Sequence, residues 1–475
     1  MWIVSEQSVW WERYKLVGAG ASEIASGVET AVTAGLLNPG EALPPVRDLA
    51  ERLGVNPNTV AAAYRALRDR GTVETRGRAG TRVRERPGTS TRQRPYAMPA
   101  GARDLASGEP DVDLLPNLTL PTHIDASRYG YASIESVLEE QLRRRLTRNF
   151  AEREPDQASI EAAELIAQAR ALPVFGALDG IDRLLATHTR PGDKVAVEDP
   201  CWGNLLDLLA SRGLTAQPMR VDDEGPDPVD LRGALAAGAR AVIVTTRAQN
   251  PYGAVVSARR CALLRSILEP HPDVLTIEDD HGADLTSGVP RLLGGVTRQW
   301  AYLYSASKSY GPDLRIAVLL GDADSTDRVA GQLRHTARRV PGLMQEVWAR
   351  ALADEGHDEV LARAAQSYAD KREALISELA RRGIRAHGAS GLNVWIPVPD
   401  ETAAATGLLA RGWAVAPGSW FRIRSEPGIR VTVARLREGE VGELVEALAG
   451  ALGLSADGAR GARRRADADD RVEMV

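Results

Sequence analysis

The chain has 475 residues, of which 44% are hydrophobic and 26% are charged, so it is long enough for two or three globular domains and is unlike disordered proteins. Its net charge of −5 is unevenly distributed: residues 1–95 carry 14 basic against 10 acidic side chains, and the remainder carries 45 against 54. A basic small module joined to an acidic large one predicts that only the first touches nucleic-acid phosphates.

Composition and termini argue against several other classes of protein. No apolar run reaches the roughly 18 residues that a membrane-spanning helix needs. The N-terminal sequence lacks the basic start and apolar core of a secretory signal. Two cysteines, Cys201 and Cys261, are too few for a disulfide framework and are typical of a reducing compartment. We expect a cytoplasmic protein with no membrane partner and no metal site.

Residues 1–86 predict three helices followed by a two-stranded wing. Apolar spacing favours a helix over residues 20–36. A second helix is predicted over residues 45–54, with proline at its first turn and glycine at its end. A third, over residues 56–71, opens on an asparagine suited to capping. The short connection between the second and third helices is typical of a helix-turn-helix, and the alternating segments after it predict a hairpin.

The remaining residues predict a linker, two α/β segments and a tail. Residues 87–102 are rich in Gly, Pro, Ser and Thr without apolar periodicity, which is typical of a linker. Over residues 103–369, β-rich runs alternate with helical stretches and predict a mostly parallel sheet covered by helices. Residues 370–455 predict a smaller α+β subdomain, and residues 456–475 have the composition of a disordered tail.

Three motifs follow one another in the N-terminal module. PGEALPPVRDLA opens the second helix, VNPNTV opens the third, and a glycine-containing hairpin comes next. This arrangement resembles the winged-helix domain of GntR-type bacterial regulators, in which the third helix enters the major groove of double-stranded DNA. The resemblance implies contacts to base edges, phosphates or the minor groove from Arg47, Asn56, Asn58, Thr59, Gly77 and Arg78. Asn56 also suits a helix cap, and Pro57 stands where many relatives carry arginine, which leaves the base contact there open.

Five segments of the large module carry polar or aromatic side chains after predicted strands or at a helix start. They are FGALDGIDRLL, EDPCWGN, TTRAQNPYG, TIEDDHGAD and SASKSYGPDLR. A site for pyridoxal 5'-phosphate (PLP) needs a lysine for the Schiff base, an acid for the pyridine nitrogen, partners for O3', an anion site and a ring to stack. The segments offer these groups, and they resemble the cofactor-binding motifs of fold type I aminotransferases.

The resemblance implies a role for each residue. Lys308 would form the Schiff base, Asp279 would pair with the pyridine nitrogen, and Asn250 would donate to O3'. Trp202 would stack on the cofactor ring, and Arg430 would clamp an effector carboxylate. The implied phosphate ligands are the backbone of Gly176, Ala177 and Leu178, the side chains of Ser305 and Arg315, and Tyr129 from the neighbouring subunit.

One position departs from the family pattern. His281 stands where relatives commonly carry a tyrosine that donates to O3'. An imidazole also donates hydrogen bonds, but its charge near neutral pH depends on its surroundings. A purely structural histidine is the alternative.

The order of winged helix, linker and aminotransferase-like domain identifies the chain as a member of the MocR/GabR family. Details such as FGALDGIDR and DDHGAD resemble its PtsJ-like, vitamin-B6-responsive branch. The resemblance implies a head-to-tail homodimer and a transcription regulator that senses PLP or a PLP–amine aldimine, in the control of vitamin B6 or amino-compound metabolism. A working aminotransferase with an accessory DNA-binding module is the alternative function.

Overall fold

The computed structural model describes eleven stretches of the chain, which form two compact units. They are residues 20–33, 37, 40–69, 72–75, 80–83, 99, 101–122, 133–150, 157–286, 288–437 and 439–453. The first unit comprises residues up to 90 with 190–193 and 209–215, and the second comprises the rest. The predicted tail and most of the predicted linker lie outside the described residues, as do Gly77, Arg78 and Tyr129. Among the described helices, none is both long and apolar enough to cross a membrane.

The N-terminal unit has the predicted winged helix-turn-helix architecture. Its elements are α1 (Ala21–Thr33), α2 (Val46–Leu53), α3 (Pro57–Asp69), β1 (Val73–Thr75) and β2 (Thr81–Val83). The two strands are antiparallel, with Val73 opposite Val83. Both valines are buried with the apolar faces of the helices, so the hairpin shares the helices' core.

Local signals define the turn between α2 and α3. Gly54 ends α2 in the left-handed conformation at φ 64°, which glycine adopts without steric penalty. Asn56 begins the next helix, and its Oδ1 accepts a hydrogen bond of 2.8 Å from the backbone N–H of Asn58. The turn therefore has the geometry that the sequence predicts.

The second unit contains two sheets and eleven described helices. Its strands are β3 (Arg103–Leu105), β4 (Arg170–Val174), β5 (Lys194–Asp199), β6 (Thr215–Asp222), β7 (Gly225–Pro226), β8 (Ala239–Thr245), β9 (Leu275–Asp280), β10 (Trp300–Ser305), β11 (Ala317–Gly321), β12 (Asn393–Pro397), β13 (Trp413–Pro417) and β14 (Gly428–Thr432). Its helices are α4 (Ser136–Asn149), α5 (Gln157–Gln168), α6 (Ala177–His188), α7 (Gly203–Ser211), α8 (Pro228–Ala236), α9 (Ala258–Leu268), α10 (Ala323–Arg334), α11 (Gly342–Ala353), α12 (Glu355–Arg381), α13 (Glu401–Leu409) and α14 (Glu440–Ala451).

The larger sheet has eight strands in the order β4-β11-β10-β9-β8-β5-β6-β7. Strands β5, β8, β9 and β10 are parallel neighbours, and β11 runs antiparallel to both β10 and β4. The prediction of a mostly parallel α/β sheet is confirmed. Because the carboxyl ends of parallel strands share one edge, the residues that end β5, β8, β9 and β10 converge there.

The smaller sheet contains a strand that the sequence places elsewhere. Its order is β12-β14-β13-β3, and Arg103–Leu105 pairs in parallel with Trp413–Val415. The predicted large domain starts at residue 103, so its first strand belongs to the C-terminal sheet. Helix α12 also runs without interruption through the predicted boundary at residues 369 and 370. Pairing partners more than 300 residues apart leave no local pattern, which explains the difference.

Candidate functional site

A cavity of about 670 Å³ lies in the second unit, where the ends of the parallel strands meet residues of the smaller sheet. Ten predicted residues line it: Gly176, Ala177, Leu178, Trp202, Asn250, His281, Ser305, Lys308, Arg315 and Arg430. Asp279 is hydrogen-bonded to one of them, His281. Segments separated by up to 250 residues in the chain therefore converge on one cavity.

One end of the cavity is built to hold an anion. Gly176 precedes α6 at φ 96°, and a Cβ there would lie 3.3 Å from Cδ of Arg315. The first N–H groups of a helix have no partner within that helix, and they attract negative charge. Asp179 holds this turn, because its Oδ2 accepts from the backbone N–H of Phe175 at 3.0 Å. The Oγ atom of Ser307 also lines this region, is buried and has no hydrogen-bond partner among the described residues.

Lys308 has the properties of a nucleophilic amine. Its Nζ donates a 2.5 Å hydrogen bond to the backbone oxygen of Gly108. Burial, assisted by the positive charge of Arg430, lowers its pKa to about 8. A larger fraction of the amine is therefore neutral near physiological pH than in an exposed lysine, and the neutral amine is the form that attacks carbonyl groups.

Strand β9 ends in three consecutive buried acids, and two of them have structural partners. Glu278 accepts two backbone N–H groups at 2.7 and 2.8 Å, and burial raises its pKa to about 7. Asp280 accepts from both Nη2 and Nε of Arg247, at 2.6 and 3.2 Å, and from the hydroxyl of Tyr302 at 2.5 Å. These contacts satisfy both carboxylates within the protein fold.

The third acid, Asp279, is only half satisfied. Its Oδ2 lies 2.8 Å from Nδ1 of His281, while its Oδ1 is buried without a hydrogen-bond partner in the described part of the chain. Burial lowers the pKa of His281, but the Asp279 carboxylate outweighs it and raises the pKa above the ordinary value. A carboxylate oxygen next to this cavity therefore remains available to a donor from a ligand.

Arg430 belongs to β14, and its side chain lines the cavity. Its guanidinium lies 4.7 Å from the ring centroid of Phe421, and burial lowers its pKa to about 10. Nη1 donates to Oδ1 of Asn250 at 2.9 Å, and Nη2 donates to the backbone oxygen of Ala106. Because Oδ1 of Asn250 is already bonded, its NH₂ group is the end that can donate to a ligand.

The loop that carries Trp202 is tied to the C-terminal subdomain. Asp199 ends β5 and accepts hydrogen bonds from the backbone N–H groups of residues 423–425 at 2.7 to 2.9 Å. The backbone N–H of Cys201 donates to Phe421. The half-buried Trp202 follows at once, so its position depends on both subdomains.

The segment from Ala106 to Glu109 also belongs to the site, although the sequence does not predict it. Two of its carbonyls hold Arg430 and Lys308, and Glu109 pairs with Arg435 at 3.1 Å beside the cavity. Gly108 lies at φ 70°, and a Cβ there would come within 2.9 Å of the Arg430 guanidinium. The glycine and the proline two residues after it in SGEP were the available signal of a tight turn, but they did not indicate which residues the turn contacts.

The N-terminal unit presents the predicted DNA-contacting residues on its surface. Arg47, Asn56 and Asn58 are exposed, and Thr59 is partly exposed, at the helix-turn-helix. Tyr64, on the same helix as Thr59, packs inward, and its hydroxyl donates to the backbone oxygen of Pro44 at 2.9 Å.

Comparison with known proteins gives both units a family. The model for bacterial regulatory proteins of the gntR family matches residues 21–83, and the model for aminotransferase class I and II matches residues 104–448. The chain is 34% identical over 435 residues to the vitamin B6 salvage pathway transcriptional repressor PtsJ of Salmonella typhimurium, covering 90% of this chain and 97% of that protein. It is 27% identical to the probable rhizopine catabolism regulatory protein MocR of Rhizobium meliloti, covering 80% and 79%.

The chain belongs to the MocR/GabR family. It is therefore a regulator with a GntR-type helix-turn-helix and a fold type I aminotransferase-like domain. Among solved structures, the kynurenine aminotransferase of Pyrococcus horikoshii superposes with a TM-score of 0.63 at 19% identity, covering 74% of this chain and 91% of that one. That similarity shows the fold of the large domain in this MocR/GabR-type protein.

Proposed function

We propose that this MocR/GabR-type transcription regulator binds PLP in the cavity and that PLP, or its adduct with an amino compound, changes how the protein binds double-stranded DNA. The observation that carries the proposal is the buried Oδ1 of Asp279, which has no partner among the described residues. Buried carboxylate oxygens are normally satisfied, and a protonated pyridine nitrogen supplies the missing donor.

The rest of the cavity fits the same cofactor. The glycine turn before α6, with Ser305, Ser307 and Arg315, would hold the phosphate dianion. Asn250 would donate to O3', and Trp202 would cover the ring. PLP supplies an aldehyde that condenses with primary amines and a ring that withdraws electrons, and Lys308 is the amine placed to hold it.

Several further features belong to the proposal. The chain acts in the cytoplasm as a head-to-tail homodimer, with Tyr129 reaching the partner's phosphate site. Residues 1–86 read DNA, and residues 87–102 link them to the PLP-binding module. Gly77 and Arg78 contact DNA from the wing.

Two signals are candidates, PLP itself and its adduct with an amino acid. PtsJ is named as a repressor of vitamin B6 salvage, which supports PLP itself as the effector. The buried Arg430 supports an amino acid adduct instead, because a guanidinium in a cavity binds carboxylates. A PLP signal predicts that Arg430→Ala leaves the DNA response intact, whereas an amino acid signal predicts that it abolishes the response.

An aminotransferase activity is the second candidate. The lowered pKa of Lys308, at about 8, and the intact Arg430 and Asp279 favour it. Loss of the bound-cofactor absorbance with an amino acid, followed by recovery with a keto acid, would demonstrate turnover.

The deciding experiment is footprinting of the full-length protein on its own upstream DNA, with and without PLP. We expect the protected region or its affinity to change with PLP in the wild type and not in Lys308→Ala. The absorbance of bound PLP, measured in the same samples, should be lost in that variant. Protection that is indifferent to PLP and to added amines would refute the sensing function.

A further inference from the structure

The two oxygens of the Asp279 carboxylate differ: Oδ2 is hydrogen-bonded to His281, and Oδ1 has no partner among the described residues. We propose that His281 is a positioning residue, which fixes the Asp279 carboxylate through Nδ1 and leaves Oδ1 for the pyridine nitrogen. The inference rests on the proposed PLP site, and it assigns His281 a role different from the O3' donor expected at this position.

The geometry of Asp279 shows why it needs a partner. The terminal torsion of an aspartate is broad, so a carboxylate with one free oxygen has no fixed orientation by itself. The other two acids of β9, Glu278 and Asp280, are fixed by two or more donors each. Asp279 has His281, at 2.8 Å, as the partner of Oδ2, and Oδ1 has none among the described residues. The imidazole therefore determines which oxygen is presented to a ligand.

Asn250 supplies a donor for O3' at the proposed site. Nη1 of Arg430 donates to Oδ1 of Asn250, which orients the amide so that its NH₂ group is the free donor. O3' thus has a donor in Asn250 without any contribution from the imidazole. Nδ1 of His281 is already committed to Asp279.

Charge around the imidazole favours the same assignment. The groups that act on His281 are Asp279 and Asp280 from the end of the preceding strand, β9, and Lys308 from the turn after β10. The two carboxylates favour the imidazolium, whereas burial and Lys308 oppose it. A tyrosine at this position would keep its proton throughout the neutral pH range, whereas a histidine exchanges its proton there. The pair therefore gives the site an ionisation that family members with tyrosine lack.

Two substitutions of His281 distinguish a role of its Nδ1 from a role of its Nε2. Asparagine places an amide nitrogen near the position of Nδ1, and glutamine places one near that of Nε2. PLP is titrated into full-length wild type, His281→Asn and His281→Gln, and the dissociation constant is taken from the absorbance of the bound cofactor. We expect His281→Asn to bind PLP nearly as well as the wild type and His281→Gln to bind about tenfold more weakly, the loss of one hydrogen bond to a charged group. The reverse order, or equal binding by all three proteins, would overturn the positioning role.

The pH dependence of the cofactor absorbance is a second measurement, and a histidine with a merely structural role would not affect it. The bound-cofactor absorbance of the wild type should show a step as the imidazole titrates, in addition to any change that comes from Lys308. This step should be missing in His281→Asn, because the amide at position 281 does not ionise. Thermal unfolding of the ligand-free variants controls for folding. An identical pH profile in the wild type and His281→Asn contradicts the proposal.

A measurement without PLP keeps the inference separate from the proposed function. Deuterium exchange at the C2–H of histidine, followed by mass spectrometry, reports the imidazole pKa in the ligand-free protein. Asp279→Asn should lower the pKa of His281, because burial and Lys308 remain while the carboxylate charge is lost. If PLP fails to bind but this pKa falls, the proposed function is wrong while the interaction between His281 and Asp279 is supported. An unchanged pKa would refute that interaction itself.

Discussion

Asp279 and Asp280 are adjacent buried acids whose replacement should have opposite consequences. Asp280 is fully buried, and it forms a two-pronged ion pair with Arg247, which is 2% exposed. Removing one partner of a buried ion pair costs about 3–5 kcal/mol, because the other charge stays buried. Asp280→Asn should therefore lower the free energy of unfolding of the large domain by about that amount. Asp279→Asn removes a single hydrogen bond, from His281, and should cost about 1 kcal/mol.

The two variants should differ in the opposite sense in how much PLP stabilises them. PLP at 100 times its dissociation constant stabilises a protein that binds it only when folded by about 2.7 kcal/mol. Asp280→Asn should keep this gain on a lower baseline, since its side chain contacts Arg247 and Tyr302. Asp279→Asn should lose the gain at the same PLP concentration, because the acceptor for the pyridine nitrogen is weakened.

The assay is chemical denaturation of the full-length wild type and the two variants, each with and without PLP. The measured quantity is the shift of the large-domain transition. If ligand-free Asp279→Asn unfolds as early as Asp280→Asn, Asp279 is a structural acid and the role of its Oδ1 is refuted. The same conclusion follows if Asp279→Asn retains the full stabilisation by PLP.

Three further predictions concern other parts of the molecule. Covalent trapping of PLP on Lys308 by borohydride should rise with pH to a midpoint near 8, because the lowered pKa exposes the neutral amine there; a midpoint in the ordinary lysine range would contradict the assignment. Gly108→Ala should cost about 1–2 kcal/mol of stability through its left-handed backbone, and its Cβ should displace Arg430 and weaken any amino acid response while PLP absorbance remains, as denaturation and absorbance titrations would show. Asn58→Ala should weaken operator binding with about 1–3 kcal/mol of lost discrimination, measured against nonspecific DNA, whereas Asn56→Ala should lower the unfolding free energy of the reader by about 1 kcal/mol. Equal loss on both DNAs would contradict base reading by Asn58.

The parts of the structure that were predictable from sequence depend on local rules. The helix-turn-helix turn was readable because Gly54 and Asn56 satisfy neighbouring backbone groups within a few residues. The cofactor motifs were readable through their resemblance to those of fold type I aminotransferases, and Asp279 and Ser305 lie at the ends of neighbouring parallel strands. Each such residue belongs to a short segment with its own pattern.

The missed features depend on contacts between distant segments. The bond between Lys308 and the Gly108 carbonyl joins residues 200 positions apart and uses a backbone atom, which no residue type signals. The pairing of Arg103–Leu105 with β13 has the same character. The link between His281 and Asp279 was open to prediction, since a spacing of two residues is local. A turn after the strand end, rather than continued alternation, brings these two side chains together.

Two of these long-range contacts join the proposed ligand site to one short segment of the chain. Arg430 connects the C-terminal sheet to Asn250 of the large domain and to Ala106, four residues after the predicted linker. A carboxylate that binds Arg430 must compete with the Ala106 carbonyl for the guanidinium. When the amine of Lys308 loses its proton, its charged hydrogen bond to Gly108 is lost. Arg430 and Lys308 therefore hold the same short segment, residues 106–108, which directly follows strand β3 of the smaller sheet. A ligand that displaces either contact would interact differently with the held and the released segment, which is the condition that an effector must meet.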